Sequence, residues 1–251
     1  NQDHRPDYVT FVANGEPTLD INLGKEIQLL KRFGIPVAVI TNYSRMHDER
    51  LREELMEADW VSVKIDTTEK MIWEKINRPS DPESFSKILR GLEKFSRIYK
   101  GKLCTETMLL SGYNDSRIST VPTSRFVSSL NPSKAYLSVP TRPPALRSIQ
   151  LPSEEALLDC WHIFQSMDIS VELLTGFEGT DAGATGNAVD DILNITAVHP
   201  LREDTMAAIL KQDKSDEYVV NSLISQGLLK AINHGGKKFF VRNYHLSEQA
   251  G

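Results

Sequence analysis

The stretch Val9-Thr10-Phe11-Val12-Ala13-Asn14-Gly15-Glu16-Pro17-Thr18-Leu19 carries the reading of this chain. An apolar, β-rich run ends abruptly in a turn that holds a glycine, a carboxylate and a proline. In a barrel or an open α/β sheet, the C-terminal edge of the strands is where ligands sit. A glycine there lets a ligand approach the main chain closely, and a glutamate accepts from an ammonium group. The same residues also suit an ordinary strand-to-helix loop, with Asn14-Gly15 making the turn and Pro17 helping to start the next element.

Outward from this stretch, short β-rich runs alternate with longer amphipathic ones as far as Phe177, the pattern of parallel strands covered by helices. Strands are expected over Tyr8-Val12, Val37-Ile40, Trp60-Lys64, Lys102-Leu110, Lys134-Val139 and Ser170-Leu174. Helices are expected over Asn22-Phe33, His47-Ala58, Met71-Ile76, Pro82-Tyr99, Val121-Leu130 and Glu154-Met167. Gly34 reads as a helix stop, and Ser153 before Glu154-Glu155 as an N-cap. The fold class is α/β, a parallel βα barrel, complete or partial.

Beyond Phe177 the small polar residues Glu178-Gly179-Thr180-Asp181-Ala182-Gly183-Ala184-Thr185-Gly186-Asn187 read as a linker. Helices at Ala188-Val198, Arg202-Lys211 and Asp216-Gln226 come next, the last with Ser215 as its cap. Two strand-like runs, Leu228-Ile232 and Lys237-Arg242, then flank a Gly235-Gly236 turn. Three helices and a hairpin make a winged-helix module. The expected division is therefore a barrel over 1–178, a linker over 179–187 and a winged-helix-like domain over 188–247.

Composition narrows the function classes. The 251 residues carry 29 Lys plus Arg against 34 Asp plus Glu, a net charge of -5, which argues against a generalised electrostatic grip on nucleic acid. A local basic patch, for which Lys230, Lys237, Lys238 and Arg242 are the candidates, remains open. Cys104 and Cys160 show neither disulfide nor metal-ligand spacing and read as buried thiols. The six histidines show no metal-ligand spacing either. No apolar run reaches the length of a membrane span and no signal segment opens the chain, so a cytoplasmic protein is expected.

Several strand ends repeat the polarity of the first. Thr41-Asn42-Tyr43-Ser44 closes one, Lys64-Ile65-Asp66-Thr67 another. Strand alternation places Cys104, Glu106 and Met108 on one face, so that Glu106 points at whatever a barrel would bind. Asn77-Arg78-Pro79 and Pro140-Thr141-Arg142-Pro143-Pro144 each present an arginine on a stiff loop. Singly, each is matched by a solvated cap or a satisfied ion pair; together they suggest a ligand site. Gly183-Ala184-Thr185-Gly186 lacks the lysine and the preceding strand of a phosphate loop.

In order along the chain, these residues resemble a family. Asn14-Gly15-Glu16-Pro17-Thr18-Leu19 is similar to the Gly-Glu-Pro-Thr-Leu turn of radical S-adenosylmethionine (radical SAM) enzymes, in the form found in wyosine-type tRNA-modifying iron–sulfur oxidoreductases. Thr41-Asn42, Asn77-Arg78-Pro79-Ser80, Glu106-Thr107-Met108-Leu109, Gly112-Tyr113-Asn114-Asp115 and Val139 to Ala145 succeed it in the family's order. The similarity continues through Asp191-Ile192-Leu193 and Thr196 to Arg202 as far as Gly235-Gly236-Lys237-Lys238-Phe239.

The resemblance implies a partial (β/α)6 TIM-like barrel whose Gly15 and Glu16 receive the methionine amino group of SAM, with Thr41 and Asn42 lining the same pocket. It implies Asp66 and Glu106 as candidates for ribose or amino-group contacts and Val139 for packing near the adenine. It further implies a [4Fe-4S] cluster at which SAM is cleaved reductively to a 5′-deoxyadenosyl radical that abstracts hydrogen from a substrate. That substrate is undetermined, with tRNA, a peptide or another macromolecule in view, and the reductant is a flavodoxin or ferredoxin. The departure is the missing CxxxCxxC triplet. In the family it precedes the segment on which this chain opens, so the first barrel strand and the cluster ligands are expected upstream of Asn1, and the chain by itself is expected to be inactive. Two other readings stay open: a degenerate, cofactor-free barrel whose winged helix contacts nucleic acid or peptide, and, ranked last, an aldolase-like barrel using Lys64, which Asp66 disfavours.

Overall fold

The computed structural model describes residues 6–12, 15–140, 149–174, 186–198, 200–234 and 237–243. Residues 179–185 of the expected 179–187 linker, the loop from Thr141 onward and the Gly235-Gly236 turn lie outside these residues.

Short β-rich runs form the strands: β1 (Val9–Phe11), β2 (Val37–Thr41), β3 (Trp60–Lys64), β4 (Lys102–Met108), β5 (Lys134–Ser138) and β6 (Val171–Leu174). Runs such as Val-Ala-Val-Ile-Thr in β2 suit a parallel sheet, whose strands are covered on both sides. The six strands form one sheet in sequence order, and β1 to β4 pair in parallel with Val39 opposite Val61 and Lys64 opposite Glu106.

The intervening helices are α1 (Leu23–Lys31), α2 (Glu49–Leu55), α3 (Lys70–Asn77), α4 (Phe85–Ile98), α5 (Arg117–Ser129) and α6 (Glu154–Gln165). In α4 the buried Phe85, Ile88, Leu92 and Phe95 recur at helical spacing and leave the opposite face to charge. Each such burial stabilises by roughly 1.5–3 kcal/mol. Gly34 takes φ 66 after α1, as a helix stop requires. Ser153 Oγ accepts the Ala156 N–H at the start of α6.

Several elements are shorter than expected or shifted at their ends, α2 at Glu49–Leu55 among them, and β4 and α5 show why. β4 ends at Met108 rather than Leu110, because the Met108 N–H turns to the Asp66 carboxylate at 2.9 Å. Helix α5 begins at Arg117, four residues before Val121, and carries Pro122 in its interior instead of at its start.

The remaining elements are α7 (Ala188–Val198), β7 (Leu201–Arg202), α8 (Glu203–Gln212), α9 (Glu217–Ser225), β8 (Leu229–His234) and β9 (Lys237–Arg242). Strands β7, β9 and β8 form an antiparallel sheet, and the two-residue β7 is too short to show in the sequence pattern. Ile192, Leu201, Met206, Leu210, Leu223 and Phe240 fill a core of their own. The cap of α9 is Asp216, whose carboxylate accepts the Tyr218 N–H at 2.9 Å, and not Ser215. Asp has one more acceptor oxygen than Ser and stands at the residue where the backbone is still extended.

Compactness divides the chain into two units: residues 1–108, 118–136 and 163–170 in one, and 109–117, 137–162 and 171–251 in the other. No helix among the described residues is long and apolar enough to cross a membrane.

Candidate functional site

Six of the seven candidate residues belong to the first unit, at the C-terminal ends of β1 to β4. Glu16 comes after β1 and its carboxylate is a hub. Oε1 accepts from Thr18 N at 3.0 Å, Thr18 Oγ1 at 2.7 Å and Thr41 Oγ1 at 2.6 Å, while Oε2 accepts from Asn42 N at 2.7 Å. The end of β1 is thereby tied to the end of β2. Glu16 also opens the short 3-10 turn Pro17–Leu19, where Pro17 supplies the fixed φ of a helical start. Gly15 is exposed, and a Cβ built on it meets nothing within 4 Å, so the approach to its backbone is open.

Arg45 braces the same loop from behind. Its Nη1 donates to the Thr18 carbonyl at 2.8 Å and its Nη2 pairs with Asp48 at 2.6 Å. Burial alone would raise the Asp48 carboxyl, but the backbone N–H groups of Leu51 and Arg50 and the Arg45 guanidinium outweigh it and hold Asp48 below the usual carboxylate range.

Asp66 anchors a second cluster. It is 1% exposed, and Oδ2 accepts from Lys64 Nζ at 2.8 Å and Asn77 Nδ2 at 3.2 Å while Oδ1 accepts from Met108 N. Both oxygens accept from the protein, which ties the ends of β3 and β4 together. Lys64 Nζ pairs with Asp66, the neighbour that disfavours the aldolase reading. Glu106 is half-buried in β4 opposite Lys64, on the same side of the sheet.

Tyr43 lies between these clusters. It is 1% exposed, and burial, then the Asp66 carboxylate, pushes its phenol far above the usual range. Its φ of 54 is left-handed, a conformation that costs a non-glycine residue roughly 1–2 kcal/mol. The turn is held by the Tyr43 N–H, which donates to Thr41 Oγ1 at 3.0 Å. Arg78 is left-handed too, capping α3 just before Pro79 and exposed as the stiff-loop reading expected.

Val139 belongs to the second unit, where it is buried after β5 and its N–H donates to the Leu174 carbonyl at 3.3 Å. Sequence reasoning missed Thr18, Tyr43 and Arg45. Thr18 stands inside the opening motif, so its signal was present; nothing in the sequence marks Arg45.

In the last module, candidate basic residues are already engaged. Lys230 pairs with Glu154 at 2.7 Å and Lys238 with Glu203 at 3.3 Å. Arg242 is half-buried, and burial lowers its guanidinium.

Cys104 and Cys160 are both buried thiols outside any disulfide, and burial pushes the Cys104 thiol up. Among the described residues no group of three or more His, Cys, Asp or Glu could hold a metal ion.

Comparison with known proteins bears on this geometry. Residues 2–121 match the model of the Radical SAM superfamily. UPF0026 protein MJ1312 of Methanocaldococcus jannaschii is 40% identical over 239 residues, 94% of this chain and 74% of that protein. A UPF0026 protein of Helicobacter pylori strain J99 is 30% identical over 206 residues, so the chain spans 66% of that relative's length. Among solved structures, a domain of pyruvate-formate lyase-activating enzyme from Bacteroides vulgatus aligns with TM-score 0.52 and 21% identity, over 66% of this chain and 97% of that one. TYW1 with a lysine–pyruvate adduct bound aligns with TM-score 0.52 and 16% identity, over 71% of this chain and 54% of that one. At these identities the two structures share the fold, a partial TIM-like barrel.

Proposed function

The chain belongs to the radical SAM superfamily and to the family of UPF0026 proteins, and on that premise we propose that the Glu16 hub receives the amino group of S-adenosylmethionine. The observation that supports this is the unequal loading of the carboxylate. Oε1 accepts three hydrogen bonds, whereas Oε2 accepts one, from Asn42 N, and so keeps an acceptor position for an ammonium. Gly15 leaves the neighbouring backbone open to the ligand. Thr18 and Thr41 hold the carboxylate in orientation, and the left-handed turn at Tyr43 keeps the Asn42 N–H aimed at Oε2.

The residues present do not fit the iron–sulfur cluster, since the two cysteines are separately buried and no ligand group is found among the described residues. Its ligands are proposed to be cysteines outside this sequence. With that cluster reduced, bound SAM would supply a 5′-deoxyadenosyl radical for hydrogen abstraction. We propose a cytoplasmic enzyme with a flavodoxin or ferredoxin as electron source and a macromolecular substrate. We further propose that α7 to β9, with its own core, is a winged-helix module.

The test is the iron and sulfide content and electronic spectrum of the full-length gene product, reconstituted without oxygen, before and after SAM is added. A [4Fe-4S] spectrum perturbed by SAM is expected. An intact protein without a cluster would leave a cofactor-free binding barrel as the better account.

A further inference from the structure

Helix α4 carries Lys87, Arg90, Lys94 and Arg97 at spacings of three, four and three residues, one stripe on the face opposite its buried Phe85, Ile88, Leu92 and Phe95. At 1.5 Å per residue the stripe is about 15 Å long. All four side chains are exposed, and none forms an ion pair among the described residues. This contrasts with Lys70, Arg202, Lys230 and Lys238, each paired with a carboxylate. Glu93 stands three residues from Arg90 and four from Arg97 on the same helix, yet no ion pair forms with either among the described residues.

Two further nitrogen-bearing side chains join it from the neighbouring segment. The α4 backbone reaches the loop before α2 at Gly91, where an added Cβ would stand 1.9 Å from the Met46 carbonyl oxygen. That close approach sets His47 and Arg52 beside the stripe, with the Arg52 guanidinium held by the Met46 carbonyl at 2.8 Å. The result is a groove of about 280 Å³ lined by His47, Arg52, Lys87, Arg90, Gly91 and Lys94, with no acid in it. Arg97 extends it into an adjoining groove of about 350 Å³, where Glu49 and Glu53 line the α2 side.

We infer that this groove docks the phosphodiester backbone of a nucleic acid. Among the described residues no Phe, Tyr or Trp lines either groove, and the apolar side chains Met56 and Ile98 belong to the adjoining groove alone. The stretch from Lys87 to Lys94 thus presents a row of cations that suits repeated phosphate contact better than a protein interface, whose buried centre is apolar and aromatic. Its length suits successive phosphates better than a single anion. Such docking requires neither SAM nor a cluster.

The experiment is fluorescence anisotropy of the full chain with labelled, unfractionated tRNA as the probe, across a salt series. For the variant Lys87→Gln/Arg90→Gln/Lys94→Gln/Arg97→Gln, affinity is expected to fall at least about tenfold near 100 mM salt, and the slope of log affinity against log salt to shrink by about 3. A control with equal charge loss elsewhere, Lys25→Gln/Lys100→Gln/Lys211→Gln/Lys214→Gln, keeps the wild-type slope. The charge-retaining Lys87→Arg/Arg90→Lys/Lys94→Arg/Arg97→Lys keeps affinity within about threefold, which separates loss of charge from loss of fold. The inference is overturned if the wild type does not bind, if both glutamine variants lose equally, or if inorganic phosphate competes as well as RNA on a phosphate basis. It is also overturned if the stripe variant loses an acidic redox protein while keeping RNA. Loss of SAM or cluster binding in the parent protein would bear on the enzyme reading alone.

Discussion

The Thr41 hydroxyl donates to Glu16 Oε1 at 2.6 Å, linking two strand ends 25 residues apart in sequence. A charge-assisted hydrogen bond of this kind is worth more than a neutral one, and its loss strands a half-buried acceptor. Glu16→Gln presents an amide NH2 or a single carbonyl where two carboxylate oxygens had accepted from four donors. It is expected to lower stability by about 1–3 kcal/mol in urea unfolding and to weaken SAM binding at least about tenfold in equilibrium dialysis of the reconstituted full-length protein. Thr41→Ser should retain both properties and Thr41→Val should lose them in part. A Glu16→Gln protein with wild-type stability and SAM affinity would mean that the hub neither ties the strand ends nor holds the ligand.

The Lys64–Asp66 pair gives a second expectation. With the Asp66 side chain fully buried, Asp66→Ala leaves Lys64, Asn77 and the Met108 N–H without their acceptor and should cost about 3–5 kcal/mol. Replacing both members, as in Lys64→Met/Asp66→Asn, should cost less than Asp66→Ala, because no unpaired charge is left behind. Chemical denaturation of the three proteins decides it: equal losses in both variants would show that the pair contributes nothing as a pair.

Acid should weaken the brace at α2. The Asp48 carboxyl lies below its ordinary 3.8 in the folded protein, so its contribution is complete well above that value and is lost as pH falls from 3.8 through the lower folded value. Asp48→Asn should therefore be less stable than wild type near neutral pH, with the difference shrinking below about pH 4. A difference that stays constant down to pH 2, in thermal melts over a pH series, would contradict this.

Gly91 is expected to tolerate no side chain. An alanine Cβ at 1.9 Å from the Met46 carbonyl must push α4 away from the loop before α2, a clash with backbone that costs at least about 1–3 kcal/mol. Thermal unfolding of Gly91→Ala checks it, and an unchanged midpoint would mean that the two elements do not meet this closely.

Both thiols should resist modification in the folded state. Cys104 and Cys160 are 3% and 1% exposed, and burial raises the Cys104 thiol away from its reactive thiolate form. Thiol titration is expected to find neither in the native protein and both after denaturation. Rapid native labelling of either would overturn their assignment to the core.

Local pattern determined the elements. Trp60–Lys64, Ala188–Val198 and Lys237–Arg242 form over the residues their periodicity marks, since strand and helix repeats are set by neighbours a few positions away. The opening turn and the motifs arrayed after it in order determined the family and the candidates Gly15, Glu16, Thr41 and Asn42. Tertiary structure decided which of two similar carboxylates a ligand can reach. The parallel register carries Met108 N–H and Lys64 to Asp66 and buries it to 1% exposure, while Glu16 is half-buried at the sheet's rim beside the exposed Gly15. It also decided where the basic charge goes unpaired. Lys230 and Lys238 meet Glu154 and Glu203, 76 and 35 residues away, whereas the α4 stripe pairs with no acid among the described residues. Hydrogen bonds and ion pairs of that kind depend on distances that only the folded chain sets, which is why sequence pattern alone points to the hairpin and the structure to α4.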